Sequence, residues 1–95
     1  MPYIYPSARE SLDLTLEQLA SRFDSPGELN YVITRLCLQY TRGNESYMIF
    51  NEIVGVLECA KLEFYRRAVA SYEDKKKLMN GDVYYYKKSN KKIKK

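Results

Sequence analysis

Apolar residues first recur at a helical spacing between residues 12 and 23. They fall at i, i+4, i+7, i+8 and i+11, which predicts a helix with one apolar stripe. Asp13 is its predicted N-cap, with Thr15 as the alternative, because both side chains accept hydrogen bonds from the first backbone N–H groups of a helix. Residues 1–9 contain two prolines and two tyrosines, and we expect them to form an extended arm against the body. The stripe consists of Leu12, Leu16, Leu19, Ala20 and Phe23.

The second predicted helix has the clearest start signal in the chain. Ser25-Pro26-Gly27-Glu28 combines a serine N-cap, a proline at the first helical position and a glutamate three residues after the cap. This pattern predicts a capping box, in which serine and glutamate satisfy backbone N–H groups at the helix start. Gly43 should end the helix, since glycine readily adopts the left-handed conformation. The apolar face comprises Leu29, Val32, Ile33, Leu36, Cys37 and Tyr40.

A third, much longer helix should begin near Ser46 and continue to Asn80-Gly81, roughly 34 residues or about 50 Å. Gly55 lies inside it at a cost of about 1 kcal/mol relative to alanine. We expect that glycine to allow close approach of another helix backbone. Two apolar stripes follow this helix. One contains Phe50, Ile53, Val54, Leu57, Ala60, Phe64 and Ala68; the other contains Ile49, Val56, Leu62, Tyr65, Val69 and Tyr72.

These lengths predict an all-α fold: an antiparallel helical hairpin of about three helices in a single small domain. The first two helices are short enough to cover only one stripe of the third. Since small chains bury a poor fraction of their surface alone, we expect self-association, as a C2 dimer through the third helix or as a higher oligomer. The alternative is that Tyr65 and Tyr72 lie half-exposed over the first helices.

The net charge of +4 conceals two blocks of opposite sign. Residues 1–74 carry seven Lys and Arg against eleven Asp and Glu, whereas residues 75–95 carry nine lysines against one acid. We therefore divide the chain into a helical domain, 1–84, and a lysine-rich tail, 85–95, which like-charge repulsion should leave disordered. The tail could alternatively hold nucleic acid or anionic lipid, or act as a localisation signal. The nucleic-acid contacts would then be Lys87, Lys88, Lys91, Lys92, Lys94 and Lys95.

Candidate chemistry is sparse. The chain contains no histidine, which removes the usual general base and the usual zinc ligand. Cys37 and Cys59 lie on or beside apolar stripes, and we interpret both as small buried hydrophobic residues. We predict no enzyme, no metal site and no cofactor. Neither a membrane span of about 18 apolar residues nor a signal peptide is expected, which favours a cytoplasmic location.

One cluster on the third helix could bind a partner. Adjacent arginines beside tyrosines suit a phosphate or nucleotide ligand, because guanidinium groups hold anions and aromatic rings stack on bases. The same residue types are enriched at protein–protein interfaces, and solvated surface residues are the third interpretation. The cluster consists of Glu63, Tyr65, Arg66, Arg67 and Tyr72.

Several segments resemble a family of small uncharacterised proteins common in bacteriophage and bacterial genomes. They read LNYVITRL at 29–36, NEIVGVLECAKLEFYRR at 51–67, YEDKK at 72–76 and NGDVY at 80–84. The resemblance covers residues 1–84 and implies a helical hairpin-type domain in a phage-like or bacterial setting, without an established activity. The lysine-rich stretch beyond Tyr84 departs from the family pattern.

Two functions follow from these observations. The first is a non-enzymatic accessory protein, an oligomeric helical module that binds a protein partner or a small anionic, nucleotide-like ligand. The second is a nucleic-acid-associated protein that uses its lysine-rich tail. Deleting residues 85–95 separates them, because only the second function depends on the tail.

Overall fold

The computed structural model describes residues 1–85, and all regular structure within that range is helical. The predicted all-α fold with a long third helix is confirmed. The chain forms two compact units, Met1–Lys61 and Leu62–Lys95. The predicted tail lies outside the described residues apart from Tyr85. The helices are α1 (Pro6–Ala20), α2 (Pro26–Thr41), α3 (Tyr47–Phe64), a π segment (Tyr65–Val69) and α4 (Ala70–Asn80).

Helix α1 begins well before the predicted N-cap. Tyr5 is the extended N-cap residue, Pro6 occupies the first helical position, and Asp13 lies inside the helix. The predicted extended arm over residues 1–9 is therefore wrong from Pro6 onward. Proline is favoured at a helix start because its φ is already helical and its missing N–H would have no intrahelical partner there. The helix also ends at Ala20, so Phe23 lies beyond it, after the turn at Ser21 and Arg22.

Helix α2 begins and ends as predicted. The Glu28 backbone N–H donates to the Ser25 hydroxyl oxygen at 3.2 Å, and the Glu28 carboxylate accepts from the Asp24 backbone N–H at 3.0 Å. Serine and glutamate thus each satisfy a backbone donor, although the glutamate reaches the residue before the N-cap. After Thr41, the chain turns through Gly43 at φ +82°.

The third predicted helix is helical throughout Tyr47–Asn80 but is not one uniform α-helix. Ser46 caps its start, where the Ile49 backbone N–H donates to the serine hydroxyl at 3.2 Å. Gly81, at φ +92°, follows the last helical residue as expected. The π segment, which separates α3 from α4, was not predicted.

The π segment changes which side chains share a face. An α-helix turns about 100° per residue, so residues four apart diverge by about 40°. Hydrogen bonding from i to i+5 places more residues in each turn, and residues four apart then stay nearly in line. Phe64, Ala68 and Tyr72 consequently form one row, while Tyr65 and Val69 belong to another. The prediction that Tyr72 shares a stripe with Tyr65 is therefore wrong.

The expectation that the first two helices cover one apolar stripe of α3 is also wrong. No apolar side chain among residues 1–85 is buried; Thr41, 6% exposed, is the one buried residue in that range. Phe50, Val54 and Leu57 of the stripe are all exposed, and only Ile53 is half-buried along this part of it. The first two helices do not provide an apolar core.

Among the described residues, no helix is both long and apolar enough to cross a membrane.

Candidate functional site

A groove between α2 and α3 forms a concave apolar surface on the residue 1–61 unit. It has a volume of about 640 Å³ and is open to solvent. Helical spacing places its side chains, because positions three and four apart share one face of each helix. We call this surface the α2–α3 groove. It is lined by Leu36, Cys37 and Tyr40 of α2 and by Ile53, Val56 and Leu57 of α3, among others.

Gly55 lies in the lining of the α2–α3 groove. A Cβ atom placed on it would meet no other heavy atom within 4 Å. The expected close approach of another helix backbone to Gly55 does not occur among the described residues of this chain. The glycine instead leaves open space in the groove wall, where a larger side chain would protrude.

Both cysteines line the same groove. Cys37 is half-buried, Cys59 is exposed, and both are free thiols. The prediction that both are buried is therefore wrong for Cys59 and holds only partly for Cys37. Because the two thiols open onto one surface, their reactivity reports whether that surface is covered.

The predicted Arg–Tyr cluster lies in the unit that starts at Leu62, and the structure divides it into separate pairs. Arg66 Nη2 lies 3.0 Å from each Glu63 carboxylate oxygen, so its nearest anion comes from the chain itself. The Arg66 side chain is 67% exposed and that of Glu63 is 25% exposed. Arg66 and Arg67 are consecutive in the π segment, and consecutive helical residues do not face each other. The binding role of the Arg–Tyr cluster stays a prediction.

The tyrosines of the cluster also have different partners. The Tyr65 hydroxyl donates to Glu73 Oε1 at 3.4 Å, across eight residues. In an uninterrupted α-helix, residues eight apart diverge by about 80°, so the π segment makes this contact possible. Lys76 Nζ lies 5.5 Å from the centroid of the Tyr72 ring, within cation–π distance.

Residues 1–83 match the family described as Domain of unknown function (DUF6899). The chain belongs to this family. No curated protein and no solved structure matches the chain.

The DUF6899 match covers the α2–α3 groove and the whole Arg–Tyr cluster, and it ends before the lysine-rich tail. The resemblance noted from the sequence is thereby confirmed at the level of an uncharacterised family. Among the described residues, no group of three or more His, Cys, Asp and Glu side chains is placed to hold a metal ion.

Sequence reasoning placed the candidate site on the Arg–Tyr cluster and missed the groove. All six lining residues named above belong to the predicted apolar stripes of the second helix and of the first half of the third. Those stripes were interpreted as faces that pack on one another within the chain. The one signal in the sequence was Gly55, because a helical glycine among large apolar neighbours marks a gap in the surface.

Proposed function

We propose that this DUF6899 protein is a non-enzymatic assembly module that associates with a helical protein partner through the α2–α3 groove. The partner is another copy of the same chain, and a C2 dimer is the simplest closed arrangement. We place the protein in the cytoplasm of a bacterium or of a virus-infected cell, as a phage-like accessory protein.

The observation that carries this proposal is the absence of any buried apolar side chain among residues 1–85. Full burial of one Leu, Ile or Phe side chain contributes about 1.5–3 kcal/mol, and a small domain needs many such contributions to offset the conformational entropy of folding. The exposed apolar residues of α2 and α3 include Leu36, at 56%, and Val56, at 64%. A partner that covers the groove would supply the missing burial.

The groove supports the proposal better than the Arg–Tyr cluster does. A small anionic ligand would have to compete with Glu63 for Arg66. An anionic ligand is therefore the weaker form of the binding function. The nucleic-acid alternative rests on the lysines between 87 and 95, which lie outside the described residues.

Sedimentation equilibrium on the full chain tests the proposal across about 1–100 µM, which brackets a micromolar dissociation constant. We expect twice the chain mass of 11.2 kDa at the upper end. The thermal midpoint should rise with protein concentration, because association stabilises only the folded chain. A chain of 11.2 kDa at every concentration, with a cooperative and concentration-independent melt, would refute self-association.

A further inference from the structure

We propose that the α2–α3 groove is filled by an apolar ridge on residues 64–79 of a second copy of the chain. The ridge consists of Phe64, Ala68, Tyr72 and Met79. This inference rests on the proposed assembly function and names the surface that the partner contributes.

The ridge is a single line of side chains because the π segment aligns it. Phe64, Ala68 and Tyr72 are spaced by four across the π segment, where the wider turn keeps such residues in register. Met79 follows Tyr72 by two α-helical turns on the same face. The three large side chains are exposed by 67%, 60% and 72%, respectively. Ala68 leaves a low point between the two aromatic rings.

Shape favours a ridge, and not the groove of the second copy, as the surface that fills the α2–α3 groove. Two concave surfaces placed face to face enclose empty space, and empty space forfeits the dispersion contacts that close packing supplies. A helix ridge inserts its side chains into the groove between two helices. The open space over Gly55, where a Cβ would meet no heavy atom within 4 Å, gives an aromatic ring of the ridge a place to enter.

Charge favours this ridge over the apolar stripe of α1 as the surface that enters the groove. Residues 1–61 carry eight acids and five bases, and Glu52 lies in the groove lining. The apolar residues Leu12 and Leu16 of α1 share their helix with three acids, Glu10, Asp13 and Glu17. The ridge segment, residues 64–79, instead carries five bases and two acids. Opposite charge guides the basic ridge segment of one copy to the acidic residue 1–61 unit of another.

In a two-fold dimer, each copy both inserts its ridge and receives the ridge of its partner. The dimer therefore contains two identical contacts. A variant with a blocked groove keeps an intact ridge, and a variant with a truncated ridge keeps an intact groove. The two variants should restore one contact when they are mixed.

The test uses full-length Gly55→Leu as the blocked-groove variant and the double substitution Phe64→Ser with Tyr72→Ser as the truncated-ridge variant. Gly55→Ala is the matched control for the first, since it makes a similar change in helix propensity with far less bulk. Leu78→Ser is the control for the second, because Leu78 is exposed on another face of α4. Far-UV circular dichroism checks that every variant remains helical.

We expect wild type and both controls to form dimers in native mass spectrometry. Loss of an interface anchor weakens binding by about 30-fold or more, and each contact occurs twice, so each test variant alone should lose about 1,000-fold in dimer affinity. An equimolar mixture of the two should give a heterodimer at concentrations where each alone is monomeric, because both substitutions then fall on the same contact, which is lost only once, and the other contact is intact.

The possible failures are distinguishable. A monomeric wild type overturns the proposed function together with this inference. A dimeric wild type whose truncated-ridge variant still dimerises, or whose mixture yields no heterodimer, overturns the ridge alone and leaves assembly through another face. A fully helical Gly55→Leu that dimerises like wild type removes the groove from the interface.

Discussion

The capping box at the start of α2 allows a quantitative test of the local structure. Ser25→Ala removes the oxygen that accepts the Glu28 backbone N–H at 3.2 Å and the hydroxyl that donates to Glu28 Oε1 at 3.1 Å. Replacing such an N-cap by alanine costs about 0.5–2 kcal/mol. In a domain of this size, each 1 kcal/mol lowers the melting temperature by roughly 4–8 °C. We therefore expect Ser25→Ala to lower both the unfolding free energy and the melting temperature by amounts in these ranges at neutral pH.

The contribution of the capping box to stability should depend on pH, because it involves the Glu28 carboxylate. The pKa of Glu28 lies below its ordinary value of 4.5, first because its carboxylate accepts a hydrogen bond from the Asp24 backbone N–H, and second because it accepts one from the Ser25 hydroxyl. A depressed carboxyl pKa stabilises the folded state when the group is ionised in both states. This stabilisation is complete above the unfolded pKa and is lost as the pH falls through the lowered folded pKa.

Urea unfolding of wild type, Ser25→Ala, Glu28→Gln and the double variant, at about pH 7 and about pH 3, measures both predictions. Glu28→Gln should be less stable than wild type at neutral pH, and the difference should shrink at acidic pH. The double-mutant cycle should show coupling at neutral pH, because the two side chains are in direct contact. A Glu28→Gln penalty that is equal at both pH values would refute the role of the ionised carboxylate.

Three further predictions follow from the described residues. Gly55→Ala should stabilise α3 by about 1 kcal/mol in a thermal melt at a concentration where the chain is monomeric, because the site is open and helical; destabilisation there would indicate that the chain itself fills the space. Glu63→Gln should change the unfolding free energy by less than about 1 kcal/mol, since the Arg66 side of the ion pair is 67% exposed, and a larger loss in a urea titration would contradict this expectation. Deleting residues 85–95 should leave the sedimentation mass dimeric and abolish any salt-sensitive binding to single-stranded nucleic acid; a deletion variant that becomes monomeric would assign assembly to the tail.

Local signals in the sequence were sufficient to locate most helix ends. Ser25, Gly43, Ser46 and Gly81 each act through backbone geometry or a short-range hydrogen bond, so their effect does not depend on the rest of the fold. The start of α1 was missed because Pro6 is compatible with both an extended arm and a first helical turn. Tyr5 at the N-cap gives no side-chain hydrogen bond that would have indicated the helical alternative.

The candidate site was less predictable, for two physical reasons. A π segment arises when an i→i+5 hydrogen-bond pattern becomes more favourable than the α-helical pattern over a few residues, and no residue type in Tyr65–Val69 requires it. Apolar periodicity also identifies which face of a helix is apolar but not what covers it. The stripes of α2 and α3 were therefore assigned to internal packing, although the structure leaves the corresponding groove open.

The exposed apolar residues affect how every stability measurement on this protein should be interpreted. If folding is completed by association, the measured unfolding free energy includes the free energy of dimerisation, and a tenfold rise in protein concentration adds about 1.4 kcal/mol per dimer. Ser25→Ala acts within one turn of one chain, so its penalty should be independent of concentration. Gly55→Leu should instead remove the concentration dependence itself, because it alters the surface through which the second copy binds. Melting each variant at two concentrations thus separates a local effect on the helix from an effect on assembly.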